Sequence, residues 1–266
     1  MSLSKSKYKI VFIGAGNVAT QLALSLKKSK YIIVQIVSKH KSSGSSLAKL
    51  LNCYYTISIE KIDVSADIYI IAVNDDAIEK VVTQLKLKDK IVVHTSGSVE
   101  MDLLKFATKH YGVFYPLQTF SKKNKANFQT IPICLEANNS YTFRILESLA
   151  KSISNNVQKI NSEQRKTIHL AAVFACNFSN HLYVIASTIL EASNLSLDIL
   201  KPLIEETANK IKNNIPSVIQ TGPAIRGDKK TMNNHLKMLT KEKNLQNIYE
   251  LMSKSIIDSV KHKLVN

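Results

Sequence analysis

The hydrophobic positions of the first 160 residues fall into short apolar runs separated by stretches with helical periodicity. Strands are predicted at residues 8–13, 32–37, 53–55, 68–73, 91–94, 113–115, 130–135 and 156–160, and helices at 21–28, 45–51, 76–84, 101–109 and 141–152. The run from Ile68 to Val73 is apolar on both faces, as a central strand of a covered parallel sheet must be. This alternation predicts an α/β fold in which helices cross over between mostly parallel strands.

From residue 161 onwards the pattern is helical and no strand is predicted. A helix of roughly 30 residues is expected to run from Ser162 toward Ala192, because apolar side chains recur there at the helical period. Ser162 is expected to cap this helix alone, since Arg165 occupies the position where a capping box needs Glu or Gln. Three further helices are predicted after it.

This change of pattern divides the chain into two predicted domains. Residues 1–160 form the α/β domain, and residues 161–266 form an all-α domain. The long helix is apolar over most of its length, so it is expected to need more partners than one small helical domain offers. We therefore predict a homodimer that forms through the helical domain.

A glycine pattern follows the first predicted strand directly. Four apolar residues, Ile10 to Ile13, lead into Gly-x-Gly-x-x-Ala, and a predicted helix comes next. A dinucleotide pyrophosphate needs this order: the first glycine permits the tight turn, the second lets the backbone approach the phosphates, and the small residue lets helix and strand pack closely. The sequence therefore predicts a Rossmann-type domain whose helix N-terminus binds the pyrophosphate. The residues expected to contact it are Gly14, Gly16, Asn17, Val18 and Ala19.

The end of the second strand indicates which dinucleotide binds. Proteins of this fold that use NAD place an Asp or Glu there, which binds the ribose 2′-hydroxyl. Here Ser38 and Lys39 occupy that position, and residues 40–43 add no carboxylate. A hydroxyl and an ammonium group suit the 2′-phosphate of NADP. NADP is therefore the predicted cofactor, and the alternative is a solvated basic loop in a lysine-rich protein.

The ends of the fourth and fifth strands are expected to face the nicotinamide, because ligands of such sheets lie at the carboxyl ends of the strands. The residues expected to line this part of the site are Val73, Asn74, Thr95 and Ser96. Either Asp75 or Asp76 is expected to be a helix N-cap, and so is Ser98. His94 is either a hydrogen-bonded core residue or a ligand.

Polar side chains on the long helix are the candidate catalytic residues. His169, Asn177 and His181 lie within a sector of about 120° if the helix turns by roughly 100° per residue. Histidine is a natural proton donor near neutral pH, so this sector is expected to bind a substrate and deliver a proton. The alternative is a satisfied hydrogen-bond network at a dimer interface. Arg226 is expected to bind a substrate carboxylate, unless its turn serves only to let Asp228 cap the next helix.

The 266-residue chain has a net charge of +16, with 36 Lys and Arg against 20 Asp and Glu. Such an excess is compatible with nucleic-acid binding, but it is spread along the chain and only Arg144, Arg165 and Arg226 are arginines. Three separated cysteines indicate a reducing compartment rather than a disulfide framework or a zinc site. We therefore expect a cytoplasmic protein that binds neither nucleic acid, nor a membrane, nor a metal.

Five stretches together resemble one family of bacterial proteins. They are residues 14–19, 94–98, 115–120, 169–178 and 222–228. The family joins an N-terminal Rossmann-like NADP-binding domain to a helical domain of unknown function, and it is distantly similar to pyrroline-5-carboxylate reductase, ketopantoate reductase and 6-phosphogluconate dehydrogenase. The resemblance implies NADP as cofactor, a dimerisation domain similar to the C-terminal domain of 6-phosphogluconate dehydrogenase, and a cleft between the domains. Related proteins often have His where this chain has Tyr115, so no proton-donor role is expected there.

Two functions are compatible with these features. The first is an NADP(H)-dependent oxidoreductase that reduces a small C=N or C=O substrate, such as an imino or keto acid. The second is a non-catalytic NADP(H)-binding module that senses redox state or binds a partner, because no Lys or Tyr stands in an unmistakable catalytic setting. The sequence favours the enzyme.

Overall fold

The structure is a computed structural model that describes residues 8–122 and 124–263. Eight strands are present among these residues: β1 (Lys9–Ile13), β2 (Ile32–Val37), β3 (Tyr54–Thr56), β4 (Ile68–Ile71), β5 (Lys88–His94), β6 (Thr108–Pro116), β7 (Ile133–Ala137) and β8 (Val157–Lys159). They form one sheet in the order β3-β2-β1-β4-β5-β6-β7-β8, in which β6 and β7 pair antiparallel and the other described pairs are parallel. Each strand overlaps a predicted one, and the α/β fold class is confirmed.

The described residues contain the helices α1 (Asn17–Lys28), α2 (Lys41–Leu51), α3 (Asp75–Val82), α4 (Ser140–Lys151), α5 (Ser162–Ala172), α6 (Ser179–Glu191), α7 (Lys201–Asn213), α8 (Lys229–Met238) and α9 (Lys243–Lys263). The helix predicted at residues 101–109 is wrong. Met101–Phe106 is a short 3-10 helix, and the chain enters β6 at Thr108. The Thr108 hydroxyl lies within hydrogen-bond distance of the carbonyls of Lys88 (2.9 Å) and Lys90, which ties this segment to the neighbouring strand.

The sheet is covered on both faces, because alternate residues of its central strands enter two separate apolar clusters. On β1, Ile10 and Phe12 pack in the cluster that includes α1, α2 and α4, whereas Val11 and Ile13 pack in the cluster that includes α3. Every residue of β4 is buried. Because β1 pairs with β2 on one side and with β4 on the other, the strand order reverses there, and ligands of such sheets bind at the carboxyl ends of these strands.

The helix that begins at Ser162 has Asn161 as its N-cap. The Asn161 side chain accepts a hydrogen bond from the N–H of Gln164 at 2.8 Å, and the Gln164 side chain accepts one from the N–H of Asn161 at 3.0 Å. A full capping box is therefore present, formed by Asn161 and Gln164 rather than by Ser162 and Arg165. The prediction that Ser162 caps the helix alone is wrong. The Ser162 hydroxyl donates instead to Glu136 at 2.7 Å.

The helix α5, a π-helical segment at Val173–Phe178 and α6 follow one another as a continuous helix, Ser162–Glu191. Within the described chain this is the one helix that is long and apolar enough to cross a membrane by length and composition, which is weak evidence for a span. In a π-helix the i→i+5 hydrogen bonds turn the chain by less than the α-helical value of about 100° per residue. The angular spacing predicted between His169 and Asn177 therefore does not hold across this segment.

The chain separates into two compact units, Met1–Cys176 and Asn177–Asn266. The first contains the sheet, its helices and the first half of the long helix. The second contains α6 to α9, and Ala224 is the one buried residue among those of its residues whose burial is described. The last strand ends at Lys159, so the predicted boundary at residue 160 marks the change from strands to helices. The division between the two compact units comes later, after Cys176.

Candidate active site

The turn after β1 has the geometry of a dinucleotide-binding loop. Gly14 has a φ of +115°, and a side chain there would collide with the carbonyl oxygen of Ala72, so only glycine fits. The Gly14 N–H donates to the carbonyl of Val37 at 2.8 Å, which ties the turn to β2. Gly16 has an ordinary φ of −76°, and a Cβ there would meet no protein atom within 4 Å. The first glycine is thus required by the fold, and the second leaves open space beside the backbone.

The start of α1 packs closely on the sheet and has no side-chain cap. Ala19 is fully buried and Val18 is half-buried, so the helix packs closely on the sheet as the small residue predicts. No side chain caps α1, and its first N–H groups are left for a ligand. The Asn17 side chain donates to the carbonyl of Phe120 at 2.9 Å, so the group that Asn17 can offer a phosphate is its backbone N–H.

A loop that the sequence analysis did not connect with the site is attached to α1. The Gln21 side chain, 5% exposed, donates to the carbonyls of Ser121 at 2.6 Å and Asn124 at 2.9 Å. It also accepts a hydrogen bond from the N–H of Ala126 at 3.1 Å. Together with the Asn17 bond, these contacts hold the loop beside the glycine turn after β1. The one sign of these contacts in the sequence is a polar residue, Gln21, at a position of α1 that faces the core.

The end of β2 carries hydroxyl and basic groups. Ser38 is buried, its N–H donates to the carbonyl of Thr56 at 3.0 Å, and its carbonyl accepts from the Tyr55 hydroxyl at 3.0 Å. Lys39 is exposed, and α2 begins two residues later without a side-chain cap. A fixed backbone, an ammonium group and an uncapped helix N-terminus fit a 2′-phosphate better than a bare ribose hydroxyl.

The carboxyl ends of β4 and β5 lie side by side, since the N–H of Thr95 donates to the carbonyl of Ile71 at 3.1 Å. Val73 is half-buried, and Asn74 is exposed at the N-cap of α3 without a side-chain capping bond. Thr95 is buried at the edge of the sheet. These residues therefore occupy the edge where the nicotinamide half of a dinucleotide is expected.

The Ser96 hydroxyl oxygen holds the turn after β5, because it accepts from the N–H groups of Ser98 and Val99, both at 3.1 Å. The Ser98 hydroxyl in turn donates to the Asp75 carboxylate. The prediction that Asp75 or Asp76, and Ser98, are N-caps is wrong, because Asn74 and Glu100 hold the N-cap positions of the helices that follow. The two aspartates lie in the first turn of α3, after its N-cap, where their charges suit the helix dipole.

His94 is a core residue, which is one of the two alternatives that the sequence left open. It is fully buried, and its Nδ1 accepts from the N–H of Ser96 at 3.2 Å. Burial, followed by the positive charge of Arg165, lowers the pKa of His94 to about 4. The ring is therefore neutral near pH 7, and it shapes the turn that follows β5.

Arg165 is the largest fully buried side chain of the described chain, and it joins three elements. Its Nε donates to Glu136 on β7 at 3.3 Å, its Nη1 to the carbonyl of Ser96 at 3.2 Å and its Nη2 to the Ser162 hydroxyl at 3.3 Å. A buried charge needs such partners to offset its lost hydration. The sequence gives no sign of this role, because Arg165 lies in a polar first turn of the helix.

One helical turn after Arg165, His169 meets Tyr115 from β6. The Tyr115 hydroxyl lies 3.1 Å from His169 Nδ1, and burial raises the pKa of Tyr115 to about 12. Gly97 makes the approach possible, because a Cβ there would lie 2.5 Å from Nδ1 of the same ring. The structure thus brings an imidazole and a phenol together beside the turn that follows β5.

The other candidate catalytic residues, Asn177 and His181, lie in the second unit, where both are exposed. Arg226 is exposed as well. Asp228 accepts from the N–H of Thr231 at 3.0 Å as the N-cap of α8, so the capping role considered for it is present. Within residues 8–122 and 124–263, no group of three or more His, Cys, Asp and Glu side chains could hold a metal ion.

Two family profiles match the chain. Residues 9–97 match the family described as NADP oxidoreductase, coenzyme F420-dependent, and residues 131–256 match a domain of unknown function, DUF2520. No curated protein sequence matches the chain.

Solved structures resemble the chain over nearly its whole length. A provisionally named NADP oxidoreductase from Bacteroides fragilis is 41% identical, with 96% of this chain and 100% of that one covered and a TM-score of 0.92. A 1-pyrroline-5-carboxylate reductase from Streptococcus pyogenes is 15% identical, with 94% and 98% covered and a TM-score of 0.61. An imine reductase from Myxococcus stipitatus, solved with NADP+, is 14% identical, with 96% and 94% covered and a TM-score of 0.64.

The last two likenesses show a shared fold. The first likeness goes further, because its identity and coverage are those of a close relative. The chain therefore belongs to the family of NADP oxidoreductase-like proteins that join an NADP-binding Rossmann domain to a C-terminal DUF2520 domain.

Proposed function

We propose that this protein is an NADP(H)-dependent reductase of a small substrate with a C=N or C=O bond, such as an imino or keto acid. The observation that carries the proposal is the open space beside Gly16, at the uncapped start of α1. The family supports NADP as the cofactor. The fold shared with a pyrroline-5-carboxylate reductase and an imine reductase supports the substrate class.

The chain offers groups for each part of the dinucleotide. Backbone N–H groups of the first turn would hold the pyrophosphate, and those residues are Gly14, Gly16, Asn17, Val18 and Ala19. Ser38 and Lys39 would bind the 2′-phosphate. The nicotinamide half would lie against Val73, Asn74, Thr95 and Ser96. When bound, the cofactor supplies the hydride.

The remaining work belongs to the side chains. His169 is the proposed proton donor, because it carries a titratable ring at the carboxyl end of the sheet, hydrogen-bonded to a second polar group. Substrate binding by Asn177 and His181, and capture of a substrate carboxylate by Arg226, are further parts of the proposal. Each is tested by substitution once a substrate is known.

The test of the proposal combines nucleotide binding with turnover. Calorimetry at low salt is expected to detect binding of NADPH and weaker binding of NADH. A turnover assay is expected to show oxidation of NADPH with at least one member of a panel of cyclic imines, imino acids and keto acids. In Gly16→Ala the added methyl group meets no protein atom, so thermal unfolding should be unchanged while NADPH affinity falls on the order of tenfold or more. Lys28→Ala, at the exposed other end of α1, is the control.

The outcomes of this test are distinct. If neither nucleotide binds, the proposed cofactor is wrong. If NADPH binds tightly and no substrate of the panel is reduced, the non-catalytic NADP(H)-binding module is favoured instead. If Gly16→Ala binds NADPH as the native chain does, the open space is not the pyrophosphate site.

We also propose that the protein forms a homodimer through its helical part. Large apolar side chains of the second unit are exposed in the single chain, among them Ile199 (66%), Leu203 (62%) and Leu251 (68%). Many large apolar side chains exposed in one part of a chain support a protein interface there. A second copy of the chain is the proposed partner.

A further inference from the structure

We propose that Asp75 makes the site selective for a substrate whose C=N bond carries a positive charge, such as a protonated cyclic imine, over a keto acid. This inference rests on the proposed reductase function and deepens it, because it chooses between the two substrate classes named there. Asp75 is the specificity-determining residue, and its carboxylate would lie against the charged nitrogen.

The Asp75 carboxylate lies where the reacting half of the cofactor is expected, at the carboxyl ends of the central strands. Asp75 is the first residue of α3 and follows the end of β4 at Ile71. Its Oδ2 accepts a hydrogen bond from the Ser98 hydroxyl, in the turn after β5. Asp75 is exposed, and among the described residues no other hydrogen bond engages its side chain, so Oδ1 is open to a ligand.

The carboxylate shares this space with Tyr115 and His169. Burial is the main cause of the raised pKa of Tyr115, and the negative charge of Asp75 adds to it, so the carboxylate lies near the phenol. The Tyr115 hydroxyl is 3.1 Å from His169 Nδ1. The same imidazole rests on Gly97, since a Cβ there would lie 2.5 Å from Nδ1, and Gly97 directly precedes Ser98. A carboxylate, a phenol and an imidazole therefore lie together at the carboxyl ends of β4, β5 and β6.

The positive charges described beside this space are paired with other carboxylates. The Nε of Arg165 lies 3.3 Å from Glu136. The Lys166 ammonium pairs with Glu100 and lies 3.6 Å from Glu163. Asp75 itself takes part in no salt bridge within residues 8–122 and 124–263. Its negative charge is therefore left for a ligand to meet.

Three other titratable side chains near the carboxylate are neutral close to pH 7. Burial raises the pKa of Tyr115 to about 12, and it raises the pKa of Cys134 as well. Burial, followed by the charge of Arg165, lowers the pKa of His94 to about 4. The dipole of α3 offsets only part of the Asp75 charge. The space is thus negative, in a chain whose net charge is +16.

The sign of this charge separates the two substrate classes. A protonated imine is positive at nitrogen, whereas a keto acid is negative. When the carbon of the charged C=N bond takes up the hydride, the π electron pair moves to nitrogen and a neutral amine results, which then binds a proton from water. The proton on the imine comes from water or from protonated His169, and the hydride step needs no further acid. A ketone instead develops negative charge on oxygen, which a nearby carboxylate opposes.

Substitution of Asp75 tests the inference through two substrates at once. Asp75→Asn removes the charge and keeps an oxygen for the Ser98 hydroxyl. It should raise KM for a cyclic imine about fivefold with a smaller change in kcat, and it should lower KM for a keto acid. A merely structural role would weaken both substrates alike. Asp76→Asn is the matched control, because Asp76 lies in the same exposed first turn of α3, and both KM values should stay unchanged.

Binding gives a reading that needs no turnover. Calorimetry with saturating NADPH uses piperidine, a cationic amine that cannot be reduced, and oxamate, an anion shaped like a keto acid. Asp75→Asn should weaken piperidine binding about fivefold and strengthen oxamate binding. A native protein that does not bind piperidine, or shifts of the same direction for both compounds, would overturn the inference. Failure of NADPH itself to bind would refute the proposed function, on which the inference rests.

Discussion

Replacing Arg165 with Met should destabilise the protein by about 3–5 kcal/mol, because it breaks a buried ion pair and leaves one charge behind. Arg165 is fully buried, and the side chain of its partner Glu136 is 12% exposed. In Arg165→Met, the described partner left to the Glu136 carboxylate is the Ser162 hydroxyl at 2.7 Å.

The size of the effect follows from the groups that lose their donors. The carbonyl of Ser96 loses the Nη1 bond, and an unmet buried acceptor costs roughly 1–3 kcal/mol. The uncompensated carboxylate of Glu136 accounts for the rest. Because Glu136 keeps some contact with water and its bond to Ser162, we expect a loss of about 3 kcal/mol, at the lower end of that range.

Urea unfolding followed by circular dichroism measures this loss, and a double-mutant cycle assigns it. Glu136→Gln removes the stranded charge, so Arg165→Met/Glu136→Gln should be more stable than the sum of the single losses predicts, with a coupling of about 1–3 kcal/mol. Arg144→Met is the control, since Arg144 is exposed and its loss should change stability by less than about 0.5 kcal/mol. An Arg165→Met loss no larger than the Arg144→Met loss would refute the reasoning.

Two further predictions concern pH and assembly. The pKa of His94 is about 4 in the folded chain against an ordinary 6.5, so the folded state favours the neutral ring. The free energy of unfolding therefore keeps its full value above about pH 6.5. It falls by about 3 kcal/mol in total as the pH drops toward 4, because the unfolded chain binds the proton more readily. Urea unfolding across this pH range should show a flatter dependence for His94→Asn than for the native chain, and equal slopes would contradict the burial argument. Light scattering should give twice the mass of the 29.7 kDa chain, and Leu203→Glu should lower it toward that of one chain; a monomeric native protein would contradict the proposed dimer.

The strands and the glycine turn after β1 could be predicted because their signals are local. Apolar runs mark each buried strand, and Gly14 lies at a turn where its +115° φ leaves no room for a side chain. The error at residues 101–109 has a tertiary cause, because contacts of Thr108 with β5 override the helical pattern. The capping box at Asn161 was missed by one residue, since the cap was sought at Ser162.

The contacts around the candidate site could not be predicted, because they join distant parts of the chain. Tyr115 and His169 are 54 residues apart, and the sequence around each residue gives no indication that they form a hydrogen bond. Arg165 stands in a polar first turn that resembles a solvated helix end, yet it is fully buried. The sequence identified His169 as a candidate, and the fold supplies its partner.

The hydrogen bonds of Gln21 have an evolutionary consequence. They reach the main-chain atoms of Ser121, Asn124 and Ala126, so they are indifferent to which side chains stand at those positions. Substitutions in this loop should therefore accumulate readily among relatives, whereas insertions and deletions should be rare, because a change of one residue would put the wrong peptide groups opposite the amide of Gln21.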